Sequence, residues 1–373
     1  MFRIILLFLF LALFPFFSEA EETIPPPPME NQMQNIGRIG PFKYERVPGK
    51  VSAFLPDISV VGTFAGGYFR DDPGHDLGEN PSRTGFNFQG IELGLQSVVD
   101  PYIRADIFIL FLEEGVEVED ATVTTLSLPL NLQIRAGKML AKFGRQNAQH
   151  LEQLDFVDYS QNNRYFFSAE GFSELGVELS ILFPTSWFSE LTFEFLQGEN
   201  EGNFNGTRKG DFAWLGRWTN TVDLSPDLTL QTGLNSAFGF NASGVGNLTQ
   251  IYGGDLYLRW KPSAYRGLKW QSEYFVRRRD LGAIVDTEGG FYSQLIGQFA
   301  RRWETGVRFE KIGLPEGGLS RWALSPEITF LASEYFHLKG QYNFVDTAGD
   351  AKKQHEAFLQ LQFNMGPHGA HVF

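Results

Sequence analysis

Residues 335–344 read Tyr-Phe-His-Leu-Lys-Gly-Gln-Tyr-Asn-Phe. Every second residue from Phe336 gives Phe336, Leu338, Gly340, Tyr342 and Phe344, and between them stand His337, Lys339, Gln341 and Asn343. One face is apolar and aromatic; the other is wholly polar. A period of two marks a β-strand, because successive side chains leave opposite sides of the pleat. The next segment repeats the pattern, with Leu359, Leu361, Phe363 and Met365 against Gln360, Gln362 and Asn364. About sixteen such segments fill residues 57–366, and no separate apolar core is left for them to cover. A sheet closed on itself satisfies the pattern, with its apolar side in lipid and its polar side around water. The predicted fold class is all-β: a transmembrane antiparallel β-barrel of sixteen strands.

The connections support closure. Short ones at 99–101, 129, 184–189, 225–226, 262–266, 300–301 and 332–334 alternate with longer ones at 70–85, 141–169, 199–210, 239–249, 279–288, 312–320 and 346–354. Short turns on a periplasmic rim and long loops on the outer rim are the outer-membrane barrel arrangement. Two strands slip in phase. The apolar set shifts at Gly90 and again near Asp120, and each slip predicts a β-bulge.

Residues 1–20 read as a secretory signal: Arg3, then the apolar run from Ile4 to Phe17, then Ser18-Glu19-Ala20 as a small-x-small cleavage site. Residues 21–56, with Pro25 to Pro28, read as a Pro-rich periplasmic leader, and 57–373 as the barrel. The chain has no cysteine, which removes disulfides and thiolate metal sites. A net charge of −13 excludes a nucleic-acid partner, whose phosphates it would repel. The expected partners are outer-membrane lipid and small polar solutes or ions.

Turning the apolar set outward places Arg104, Asp106, Arg135, Glu174, Glu178, Glu194, Arg217, Asp255, Arg259, Lys269, Glu273, Arg277, Glu304, Arg308, Glu310, Glu327 and Lys339 inside. These are eight cations and nine anions. So many charges of both signs predict a hydrated lumen of balanced charge and modest ion preference.

The connection 141–169 is the third outward loop and the longest. It carries Lys142, Arg145, Glu152, Asp155, Asp158 and Arg164 among Phe143, Phe156, Tyr159, Tyr165, Phe166 and Phe167. That aromatic content predicts packing inside the barrel, where the loop would narrow the pore. Arg104, Arg135, Arg217, Arg259 and Arg308 on the wall, against Glu152, Asp155 and Asp158 on the loop, are the candidates for a transverse field.

These features, with the final Phe373, resemble the porins of Gram-negative outer membranes. Val99-Asp100-Pro101-Tyr102, the run 116–123, Arg135-Ala136-Gly137-Lys138 and Lys142-Phe143-Gly144-Arg145 are more specifically similar to phosphate-selective-porin-like barrels. They also resemble barrels labelled zinc-regulated outer-membrane receptors. The match covers about a fifth of the chain. It implies a pore narrowed by the third loop, with acidic loop residues facing basic wall residues. Two features depart from the pattern. The connection at Glu114-Gly115 is too short for the latch that clasps a neighbour in trimeric porins, and the lumen lacks the cationic surplus of phosphate channels.

Enzyme chemistry has no signature here. His75, His150, His337, His355, His368 and His371 sit in no recognisable catalytic or metal motif, and no cofactor or metal site is predicted. The reading is a non-enzymatic outer-membrane channel for passive diffusion of small polar solutes or ions. The alternative is a substrate-binding uptake barrel, phosphate- or metal-linked.

Overall fold

The computed structural model describes residues 56–70, 79–169, 171–315, 320–350 and 352–366. The signal and leader readings, His75, His368, His371 and Phe373 fall outside these residues. Sixteen strands run in sequence order: β1 Asp57–Phe69, β2 Gly85–Asp100, β3 Ile103–Phe111, β4 Val116–Thr125, β5 Leu132–Leu140 and β6 Ser173–Leu182. Then come β7 Phe188–Leu196, β8 Ala213–Ser225, β9 Leu228–Phe240, β10 Leu248–Ser263 and β11 Arg266–Asp280. The ring is completed by β12 Val285–Ala300, β13 Trp303–Leu314, β14 Arg321–Ser333, β15 Phe336–Thr347 and β16 Gln354–Met365. Each strand pairs antiparallel with its neighbours in sequence, and β1 pairs with β16 from Val60 opposite Met365 to Phe69 opposite Glu356. Closure leaves no sheet edge unpaired, which a bilayer requires because lipid offers no hydrogen bonds.

Burial runs opposite to that of a soluble protein. On β15 the polar Lys339, Gln341 and Asn343 are buried, while Tyr342 faces outward and is exposed. Around the outer surface Ile107, Leu179, Leu234, Leu295, Val307, Ile328 and Leu359 are exposed in the middle of the wall. Tyr102, Trp187, Trp260, Tyr265, Phe299 and Tyr335 are exposed toward the short-turn rim, and Tyr68, Phe86, Trp214, Phe238 and Tyr252 toward the other. Two aromatic belts flanking an aliphatic band are the signature of a lipid-facing barrel wall. Strand length agrees: the 12 residues of β15, at ~3.3 Å each and tilted by roughly 40°, span about 30 Å.

Both predicted bulges are present. Pairing of β1 with β2 steps from Thr63–Gly90 to Phe64–Phe88, and Gly90 takes φ of 142°, a conformation that glycine reaches without strain. Pairing of β3 with β4 steps from Phe108–Asp120 to Ile109–Val118, leaving Glu119 as the extra residue. One predicted loop is corrected. The charged stretch 279–288 is mostly strand, because Arg277 stands directly opposite Glu288 and Arg279 opposite Asp286. The pairs are ion-bonded at 2.6 and 2.9 Å. Charges that read as a solvated loop form a cross-strand ladder instead. The connection at Glu114-Gly115 is tight, closed by the Leu112 N–H donating to Gly115 O at 2.8 Å.

Candidate functional site

The third loop, residues 141–172, carries one short helix, α1 Gln161–Phe167, capped by Ser160 Oγ, which accepts the Asn163 N–H at 3.1 Å. Its path is fixed by bonds to inward-facing wall groups. Arg145 donates to Gln231 Oε1 on β9 at 2.6 Å, and the Gln146 N–H donates to Glu273 Oε1 on β11 at 2.8 Å. Four residues later, His150 Nδ1 lies 2.8 Å from Glu92 on β2 and 3.0 Å from Glu119 on β4. In a ring of sixteen, β11 lies opposite β2–β4, so the chain crosses the lumen between Gln146 and His150.

Beyond the crossing the loop follows β15 and β16. Gln362 donates to Glu152 O at 3.2 Å, Lys339 to Leu154 O at 2.5 Å, and the Val157 N–H to Gln341 Oε1 at 2.7 Å. Arg308 on β13 then holds Asp158 at 2.6 Å and stacks on Phe156, and the Gln161 N–H reaches Glu310 at 2.6 Å. Burial alone would raise the Asp158 carboxyl. The Arg308 and Arg164 guanidiniums and the Gln341 amide outweigh it and hold the group below 3.8.

The loop's aromatic ends build an apolar core inside the barrel. Phe143, Phe166, Phe167 and Phe172 are fully buried against Leu196, Leu215, Ala237, Ile251 and Phe275 from β7 to β11. Gly253 makes room: a Cβ there would lie 2.9 Å from both Phe143 and Phe275.

Of the sequence-predicted wall residues, Glu178, Arg217, Asp255, Glu273, Arg308 and Lys339 are buried, and Arg104, Asp106, Arg135 and Arg259 are half-buried, with varied partners. Arg104 binds its strand neighbour Asp106 at 2.7 Å near the short-turn rim. Arg135 binds Glu178 at 2.8 Å, and Lys142 meets the same carboxylate at 2.7 Å. Arg217 grips Asp255 with two nitrogens at 2.7 and 2.9 Å, a bidentate pair. Arg259 and Glu304 are half-buried toward the short-turn rim. Of the acidic loop groups, Asp158 meets an arginine (Arg308), while Asp155 pairs with Lys269. Glu152 lies among acids. Burial, then the Glu92 and Glu119 carboxylates against the opposing His150, push it up to about 8. Arg104, Arg135 and Arg217 are matched within the wall itself rather than across the lumen.

Sequence reasoning missed Glu92 and Glu119 as inward groups. Each lies beside a bulge, and a bulge inverts the in–out phase of the strand that carries it. Burial works against a charge on His150, but the Glu119 and Glu92 carboxylates outweigh it and raise its pKa well above 6.5.

No family model matches the sequence. An uncharacterized protein of Aquifex aeolicus (strain VF5) is 29% identical over 393 aligned positions, covering 88% of this chain and 82% of the relative. Among solved structures, the anion-selective porin from Comamonas acidovorans superposes with a TM-score of 0.58 at 13% identity, covering 83% of this chain and 98% of that one. A loop L8 deletion mutant of OmpT, an outer membrane protein of Vibrio cholerae, gives 0.57 at 9%, covering 84% and 100%. OprB of Pseudomonas putida gives 0.55 at 10%, covering 84% and 94%. At these identities the likeness is one of fold, and it agrees with the closed ring, the aromatic belts and the polar interior: the chain folds as a porin-like, sixteen-stranded β-barrel of outer-membrane type.

Proposed function

We propose that this protein is a passive, non-enzymatic channel of the bacterial outer membrane for small polar solutes or ions, narrowed by its third loop. The observation that carries the reading is the bonded crossing from Gln146 at β11 to His150 at β2 and β4. The solvent exposure kept by Arg104, Arg259, Glu304 and Lys269 on the polar wall supports a water-filled path beside the loop. Pairing of most luminal charges supports weak ion preference and a small conductance. Residues 1–20 would direct export and be removed after Ala20, leaving 21–56 as a periplasmic leader.

Single-channel recording of the mature chain in planar bilayers tests this. Steady ohmic steps with weak ion preference are expected, and Arg308→Ala should enlarge or destabilise the steps by loosening the loop. Absence of conductance would overturn the channel reading. Saturable block by phosphate, or by one cation, would shift the function to a substrate-binding uptake barrel.

A further inference from the structure

We infer that Glu92, Glu119 and His150 form a binding site for one divalent transition-metal cation, which ties the third loop to the barrel wall. One ligand atom from each residue lies within 4.8 Å of the other two. The three come from separate elements: β2, the bulge of β4 and the third loop. All three side chains are largely buried, with 5%, 11% and 8% exposure.

The second observation concerns Glu92. Its carboxylate is aimed at the imidazole through Oε2, 2.8 Å from Nδ1, while no donor among the described residues reaches its buried Oε1. A carboxylate oxygen in that position has capacity for a further positive partner. Glu79 and Glu152 stand within electrostatic reach of all three groups, so four carboxyls surround one imidazole.

Geometry fits as well. Two metal–ligand bonds of ~2.0–2.1 Å at a tetrahedral angle separate the ligand atoms by about 3.3 Å. Nδ1 is now 2.8 and 3.0 Å from the two carboxylates. Exchanging the Nδ1 proton for a metal therefore needs a spread of about 0.4 Å, within the reach of small side-chain rotations. The donor set, one imidazole nitrogen with carboxylate oxygens, suits Zn2+, Co2+, Fe2+ or Mn2+ better than the all-oxygen preference of Ca2+ and Mg2+. His150 supplies the link, since the loop provides the nitrogen and the wall the oxygens.

Cobalt alone is the probe. The full mature chain, folded in detergent and stripped with chelator, is titrated with Co2+, and binding is followed by visible absorption and by metal content after dialysis. One equivalent per chain is expected, displaced by Zn2+. The near-isosteric Glu92→Gln and Glu119→Gln should each weaken binding by roughly tenfold or more, as should His150→Gln. Exposed Glu113→Gln should leave it unchanged. Far-UV circular dichroism verifies that each variant retains the barrel. A wild type that takes up no stoichiometric Co2+ or Zn2+ overturns the site and leaves His150 as a polar clamp between loop and wall. Retention of wild-type affinity in folded Glu92→Gln and Glu119→Gln overturns it too. Conductance is unaffected as a criterion, so failure here and failure of the channel reading are separable.

Discussion

The two sides of the lumen hold the same loop by different physics. Along β7 to β11 the main contact is a hydrophobic core, in which Phe143, Phe166, Phe167 and Phe172 pack on Leu215, Ala237, Ile251 and Phe275, joined by the Arg145–Gln231, Gln146–Glu273 and Asp155–Lys269 bonds. Along β13 to β16 and β2 to β4 it is a set of ion pairs and hydrogen bonds through His150, Asp158, Lys339 and Gln341. A small apolar contact, Val157 against Ala65, Phe69 and Phe358, is set into that charged side. Apolar contacts of this kind are indifferent to pH and salt, whereas charged contacts respond to both. The aromatic side is therefore the firmer anchor, and the mainly charged side is where solution conditions act on the loop.

The largest expected effect lies in the anchor. Phe143→Ala removes a fully buried ring that meets Phe167 and Phe275 edge-on, and should cost loop docking about 3–5 kcal/mol. Hydrogen exchange across 141–148 measures it; protection equal to wild type would break the distinction drawn between the two sides. Next comes Arg308→Ala, which strands the buried Asp158 carboxylate at a cost of about 3–5 kcal/mol. Adding Asp158→Asn should recover part of that loss. If it does not, the charged side acts through packing rather than charge.

Acidification separates the sides with no mutation. Asp158 is held below 3.8 in the folded protein, so its contribution is present above 3.8 and lost as pH falls through the lower folded value. Below about pH 4, exchange should rise across 154–161 before it rises across 141–148. Simultaneous release would mean the loop opens as one unit. The smallest effect belongs to Lys269→Gln. Its ion pair with Asp155 leaves 31% and 21% of the two side chains exposed, so the change should cost under about 1 kcal/mol and shrink further in high salt.

How much of this was legible in the sequence follows from what is local. The strands were, because Phe336 to Phe344 and Leu359 to Met365 carry their in–out assignment in adjacent residues. Aromatic packing of the third loop was legible from composition. Its partners were not, because Gln146, Val157 and Gln161 bond to strands far along the chain by way of the closed ring. The field expected between loop acids and wall arginines was misjudged for Arg135 and Arg217. Each finds a carboxylate on a neighbouring or next-but-one strand, nearer than any loop group. Glu119 escaped notice because a single extra residue in β4 redirects it inward.

The seam between β1 and β16 has a consequence for assembly. The first and last strands meet, so the cylinder is complete when the carboxyl-terminal strand has zipped to the amino-terminal one. The crossing segment belongs to the middle of the chain, yet its grips on Lys339, Gln341 and Gln362 lie on the two strands nearest the end. Those grips require partners 184 to 210 positions apart to be brought into one cross-section, the kind of non-local pairing that makes β-structures slow to form. Full docking of the third loop is thus a late event, coupled to ring closure rather than to synthesis of the loop itself.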